Sequence, residues 1–87
     1  MIDNIERHRF EAEESGKLVF ANYREHEGRF LLTHVEADPA LRGTGAAARL
    51  MRAIVTHARE HDLKLAPRCS YAVAWFERHP EDNDLIG

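Results

Sequence analysis

The chain of 87 residues carries 12 Lys and Arg against 15 Asp and Glu, a net charge of −3, with 44% hydrophobic and 31% charged residues. That length allows one small domain spanning residues 1–87, with one sheet and two or three helices around one core. The acidic balance argues against a general nucleic-acid or anionic-membrane partner, and no apolar run approaches the roughly 20 residues of a membrane span. Met1–Glu6 lacks the apolar stretch of a signal peptide, and a lone Cys69 permits no internal disulfide, so the expected setting is the reducing cytoplasm.

The first half of the chain reads as strands. Arg7 to Glu13 alternates about Phe10 and Ala12, and Glu14-Ser15-Gly16-Lys17 is a turn signal. Leu18 to Glu25 follows with Val19, Phe20 and Tyr23; His26-Glu27-Gly28-Arg29 is a second turn, and Phe30 to Ala37 a third strand. Short strands joined by brief turns predict an antiparallel meander. Strict alternation puts Leu31, Thr33, Val35 and Ala37 on one face of the third strand and Phe30, Leu32, His34 and Glu36 on the other. Apolar residues on both faces predict an interior strand.

Asp38-Pro39 ends that strand. From about Thr44 the period changes. Ala47, Leu50, Met51, Ile54, Val55 and Ala58 form one helical stripe, with Arg49, Arg52, Arg59 and Glu60 elsewhere, and the helix is predicted to end near His61-Asp62. Leu63 to Ala66 is a short apolar strand closed by Pro67; strand, helix and strand predict a right-handed crossover with parallel strands. Tyr71 to Arg78 reads as a second helix bearing Ala72, Val73, Trp75 and Phe76. Pro80 ends it, and the polar tail from Glu81 is predicted to be loose. The fold class is α+β: three antiparallel strands, a helix crossover, a parallel fourth strand and a closing helix.

The sharpest local signal is Arg42-Gly43-Thr44-Gly45-Ala46-Ala47. Glycines tolerate positive φ and leave no Cβ in a ligand's way. The first amides of the following helix lack intrahelical partners, and the helix dipole adds positive charge there. Together these suit a phosphate or pyrophosphate. Arg42 stands beside the turn, with Arg49 and Arg52 one and two helical turns further on. A dinucleotide fingerprint belongs to the first unit of a doubly wound parallel sheet, and here the turn follows a meander. A P-loop needs Gly-Lys-Ser/Thr, which is absent.

Val35, Pro39, the run Arg42 to Ala47, and Leu50 resemble motif A of the GNAT acetyltransferase superfamily. That motif reads Gln/Arg-x-x-Gly-x-Gly/Ala, and Arg42, Gly45 and Ala47 occupy its defined positions. The second half is more similar to the minimal, single-domain YjdJ-like N-acetyltransferases. They carry a Thr-His pair, a Pro-x-Cys segment and an Arg-His-Pro-Glu ending, here Thr33-His34, Pro67-Arg68-Cys69 and Arg78-His79-Pro80-Glu81. The resemblance runs from about Gly28 to the C-terminus. It implies a GNAT-like mixed sheet and acetyl-coenzyme A as cosubstrate, without a metal. The acceptor it implies is an amine, on a small molecule or a protein. The strands before and after the first helix are expected to splay, with pantetheine between them on the backbone of Val35 and Ala37. Arg42, Gly43, Thr44, Gly45, Ala46 and Ala47 are expected to hold the pyrophosphate. A monomer or weak homodimer is expected.

The same resemblance marks Cys69, at the start of the second helix, as a reactive thiol that accepts the acetyl group or acts as the acid. The bland reading is a small buried hydrophobe. His34 is the candidate general base, with Glu36 on its face to orient it. Larger members take an acid from a tyrosine in the closing helix. The matching position is Phe76, which has no proton to give, and Tyr71 is the nearby phenol; both are expected to border the cofactor. Larger members also build the acceptor pocket from helices between their first strands. Glu14-Ser15-Gly16-Lys17 leaves no room for these, so the acceptor site is open or completed by a partner. The alternative function is a non-catalytic coenzyme A-binding module. His57 and His61 have the i, i+4 spacing of a zinc pair but no third ligand, and read as a solvated helix face.

Overall fold

The computed structural model describes residues 1–87. Five strands and two helices run in the order β1 (Ile2–Asn4), β2 (Arg9–Glu14), β3 (Lys17–His26), β4 (Arg29–Ala37), α1 (Ala46–Glu60), β5 (Lys64–Pro67) and α2 (Ser70–Arg78). Short 3₁₀ turns occupy Ile5–Arg7, Pro39–Leu41 and Pro80–Leu85. The strands lie in the sheet in chain order, β1 to β4 antiparallel and β5 parallel to β4. This is the expected α+β mixed sheet with one strand more than the sequence pattern yields.

Two-residue turns make the meander. Ser15-Gly16 joins β2 to β3 and Glu27-Gly28 joins β3 to β4, all four residues at positive φ. That geometry carries the twist of the flanking strands through the turn. Phe10, Val19, Ala21, Tyr23 and Leu32 form the inner face of the sheet and share one core with Leu50, Met51, Ile54 and Val55 of α1 and Ala72, Trp75 and Phe76 of α2. Helix α1 starts two residues after its expected Thr44, and Ala46 rather than Ala47 is its first buried residue. It ends on Asp62 in the left-handed region, where the Leu63 N–H reaches back to the Ala58 carbonyl at 2.8 Å. That closure turns the chain directly into β5.

Strand β1 escapes prediction because three residues with a 65% exposed Ile2 show no alternation. It is held by pairing with β2, from Ile2↔Glu11 to Asn4↔Arg9, and by the Tyr23 hydroxyl, which donates to Asp3 at 2.6 Å. Burial and that hydrogen bond push the Tyr23 phenol up.

The tail from Glu81 is ordered, contrary to expectation. Leu85 is buried, Ile86 bridges Leu65 in parallel, and the Gly87 N–H donates to the Leu65 carbonyl at 3.0 Å. Its anchor is Asp82, 4% exposed, between Arg52 at 3.0 Å and Arg59 at 2.9 Å. The Arg52 contact is close but off-line, so Oδ2 has an ion-pair partner without a well-aligned hydrogen bond. Arg59 also holds Asp84 at 2.7 Å. A polar composition hides this anchor because the buried group is itself a carboxylate, with its partners far upstream on α1.

Asp82→Ala strands two arginines of α1 without their shared acid. Because those guanidinia are half exposed, the expected loss is about 2 kcal/mol, below the range for fully buried pairs, read from urea unfolding.

Acid sensitivity follows from three carboxylates. Arg9 holds Glu11, Arg49 holds Glu14 and Arg59 holds Asp84, each below its ordinary value. Their folded values lie beneath their unfolded ones, so the unfolded chain takes up protons first as pH falls. Stability from these groups is complete above about pH 5 and is lost through the carboxylate range below it. Acid titration of unfolding should show that loss, and Glu14→Gln should reduce it only slightly, because its ion pair is partly exposed and the other two carboxylates remain.

Candidate active site

Strand β4 breaks its alternation at one residue. Tyr23 pairs with Leu32 and Asn22 with His34, so Thr33 is an extra residue on β4. Phe30 and Leu32 face the core before it, and Val35 and Ala37 after it. The strict alternation expected for this strand is therefore corrected: residues assigned to opposite faces share the inner one. His34 and Glu36 turn to the outer face, where both side chains are 53% exposed. The Thr33 hydroxyl donates to the Asn22 carbonyl at 3.3 Å.

The other edge of β4 opens at the same place. Pairing with β5 runs from Arg29↔Lys64 to Leu32↔Pro67, and the Arg68 N–H makes a last bond to the Leu32 carbonyl at 2.9 Å. Beyond it, 33–37 have no strand on that side. The Asp38 N–H bonds the Leu18 carbonyl of β3 at 2.9 Å. By antiparallel alternation Glu36 and His34 also bond β3, and Val35 and Ala37 point their N–H and C=O groups into the open edge.

The glycine turn lies at the far end of this edge. Gly43 and Gly45 have φ of 77° and 87°, in the left-handed region that a side chain disfavours. Thr44 is spent on the turn itself: its N–H and hydroxyl both donate to the Leu41 carbonyl, at 3.1 and 2.5 Å. Gly45 is the N-cap of α1, and no side chain caps the helix, so the amides of Ala46, Ala47 and Ala48 point out unpartnered. A depression of about 250 Å³ joins Ala37, Arg42, Gly43, Gly45, Ala46 and Ala47 to Tyr71 of α2. Arg42 is exposed and in no ion pair. Arg49 is held by Glu14, and Arg52 is turned away to Asp82 and the face of Trp75.

Across the gap, Cys69 directly follows Arg68, so it stands where the strands part. It is half-buried and is the N-cap of α2, its Sγ accepting from the Ala72 N–H at 3.4 Å. Tyr71 is partly buried, and that burial pushes its phenol up. Phe76 is 3% exposed, packed edge-on to Trp75 in the core, and does not border the depression. His79 serves packing too: Nδ1 donates to the Trp75 carbonyl at 2.7 Å while its ring stacks on the indole at 3.9 Å. The His57 and His61 rings lie 4.3 Å apart, with His57 edge-on to Phe10.

On the outer face, His34 Nε2 lies 3.0 Å from Glu36 Oε1. A carboxylate only accepts, so Nε2 carries the hydrogen and Nδ1 is the nitrogen left to take a proton. Sequence reasoning missed the bulge that aims this pair outward. Its signal was present: the inward residues Phe30, Leu32, Val35 and Ala37 contain one step of three among steps of two.

Residues 9–85 match the family model described as GCN5-related N-acetyl-transferase. The chain belongs to the GCN5-related N-acetyltransferase family. It is thereby a member of a family of acyltransferases, and its mixed sheet is the family's fold. The solution structure of a "GCN5-like putative N-acetyltransferase" from Staphylococcus aureus superposes with a TM-score of 0.62 at 22% identity. The match covers 90% of this chain and 87% of that one. No curated protein matches the chain.

Within this acetyltransferase fold Cys69 has a structural task that is separable from chemistry. Cys69→Ser keeps an N-cap acceptor for Ala72 and should retain stability; Cys69→Ala loses it and should cost about 0.5 kcal/mol, the low end for a cap, because sulfur is a weak acceptor. Paired thermal melts of the two variants check this.

Proposed function

We propose that the protein moves an acetyl group from acetyl-coenzyme A to an amine, with the cosubstrate lying along the open edge of β4. The observation that carries this reading is the parting of β4 from β5 after Leu32 and Pro67, with an uncapped glycine turn at one end and Cys69 at the other. The fit is chemical as well as spatial. Val35 and Ala37 offer paired donors and acceptors to the amide groups of a pantetheine arm. The bare amides of Ala46–Ala48, the helix dipole and Arg42 suit a pyrophosphate. Tyr71 walls the same depression.

Acceptor chemistry falls to the outer face. Nδ1 of His34, with Nε2 held by Glu36, takes the proton that an acceptor ammonium must lose. The freed nitrogen then bonds the acetyl carbon, the carbon–sulfur bond breaks, and the leaving thiolate gains a proton. Cys69 serves this exchange by one of two balanced routes. As nucleophile, Sγ bonds the acetyl carbon as coenzyme A leaves, and the amine displaces it in turn. As acid, its thiol hydrogen goes to the departing thiolate.

Calorimetry with acetyl-coenzyme A should show saturable binding that Arg42→Ala weakens about tenfold, the scale of one charge-assisted contact. No binding at millimolar concentration would sink the reading. Intact-mass measurement after incubation should show one acetyl adduct, absent in Cys69→Ala, if Sγ carries the group; full transfer by that variant removes Cys69 from the chemistry. Binding without thiol release across a broad amine panel would favour a non-catalytic coenzyme A-binding module.

A further inference from the structure

We infer that Arg49 is a second phosphate ligand of the glycine turn, presented to it by Glu14. The inference rests on the acetyl-coenzyme A reading and adds to it a residue on the first turns of α1 and one on the β2–β3 hairpin.

The argument is geometric. Glu14 grips Arg49 from the side: Nε donates to Oε2 at 3.0 Å and Nη2 to Oε1 at 2.7 Å. The third nitrogen, Nη1, has no acceptor. A Cβ built on Gly45 would lie 3.0 Å from Nη1 and 3.8 Å from Cζ, so the free end of the guanidinium hangs over the turn. Helical side chains lean toward the N-terminus, which carries Arg49 back over the residue whose carbonyl its own N–H bonds at 3.0 Å. The unpartnered amides of Ala46–Ala48 open at that same end.

Three features make this a presentation rather than a resting ion pair. Arg49 is 56% exposed and Glu14 28%, so the carboxylate is the sheltered partner and the guanidinium the outward one. Glu14 ends β2 beside the tight Ser15-Gly16 turn, so the grip comes from a stiff hairpin rather than a loose loop. Gly45 leaves open the space beside Nη1 that any side chain would crowd. A planar fork can be held along one edge and donate from another. A lysine ammonium offers one point and cannot do both as well. Because Glu14 balances its charge, Arg49 contributes aimed donors, while unpaired Arg42 contributes net charge.

The test compares three ligands by calorimetry: acetyl-coenzyme A, its analogue without the 3′-phosphate, and acetylpantetheine, which has no phosphate. Arg49→Gln, with a thermal melt to show it is folded, should weaken acetyl-coenzyme A about tenfold and leave acetylpantetheine unchanged. It should also flatten the salt dependence of acetyl-coenzyme A binding. A loss that persists without the 3′-phosphate assigns Nη1 to the pyrophosphate, and a loss that disappears assigns it to the 3′-phosphate; either supports the inference. Unchanged affinity and salt dependence, or an equal loss on acetylpantetheine, overturns it. Glu14→Gln should give a smaller, equally phosphate-dependent loss, and Arg49→Lys should not restore binding. Tighter binding in Glu14→Gln would mean that Glu14 withholds Arg49, and overturns its presenting role. Wild-type protein that binds no acetyl-coenzyme A fails the cofactor reading itself. Normal wild-type binding with an indifferent Arg49→Gln fails this inference alone.

Discussion

The bulge at Thr33 shifts the residue parity of β4 by one. Up to Leu32, even-numbered residues turn their backbone toward β5, as the Arg68 N–H to Leu32 carbonyl bond records; beyond it they turn toward β3, as the Asp38 N–H to Leu18 carbonyl bond records. Were Thr33 paired in an unbulged ladder, Val35 and Ala37 would spend their backbone groups on β3 and face solvent with their side chains. With Thr33 set aside in the bulge, their side chains join the core while their N–H and C=O groups line an edge that nothing fills. The same shift sends His34 and Glu36 to the outer face. One residue thus sets the direction of the open edge, the aim of the histidine and the place where Cys69 faces the parting.

A domain of this size has a limited core, and buried charge takes up part of the work of closure. Helix α1 is the common anchor. Near its start Arg49 ties down the β2–β3 hairpin through Glu14; further along, Arg52 and Arg59 clamp the tail through Asp82. The two anchors have different status. The Asp82 carboxylate is buried and its removal leaves arginines facing each other, so it acts on stability. The Glu14 pair is partly exposed, where ion pairs contribute little to folding. Its geometry therefore bears more on where Arg49 points than on whether the chain folds.

What was legible in the sequence was whatever has a short period. The α1 stripe, the meander and the Arg42–Ala47 turn announce themselves within windows of ten or fifteen residues, and the ordered motifs around them were enough for the family. What was not legible depends on partners distant in the chain. Nothing in Ile2-Asp3-Asn4 reveals β1 until Glu11 and Arg9 pair with it. Nothing in Glu81 to Leu85 reveals an anchor until Arg52 and Arg59 close on Asp82. The three arginines near the turn look equivalent by spacing, yet one is free, one is held by Glu14 and one is turned away. Phe76, expected beside the cofactor, belongs to the core because the stripe of α2 that carries it also carries Ala72 and Trp75.

The division between the two faces of the sheet also decides how the residues can cooperate. Both helices cover the inner face, and the glycine turn belongs to that layer. The outer face has no covering element: the Ser15-Gly16 turn carries β2 straight into β3, and His34 and Glu36 stand half exposed on it. In the proposed reaction the cosubstrate is held by backbone and helix on one side, and the acceptor loses its proton on the other, with the open edge of β4 as the passage between them. The arrangement asks that the passage stay open. Even-numbered residues of β5 turn their backbone to β4, and the Arg68 N–H to Leu32 carbonyl bond is the last of them; odd-numbered ones turn away, as the Gly87 N–H to Leu65 carbonyl bond records. The strands part because the chain turns at Cys69 into α2 directly after that bond, and α2 packs into the shared core through Ala72, Trp75 and Phe76.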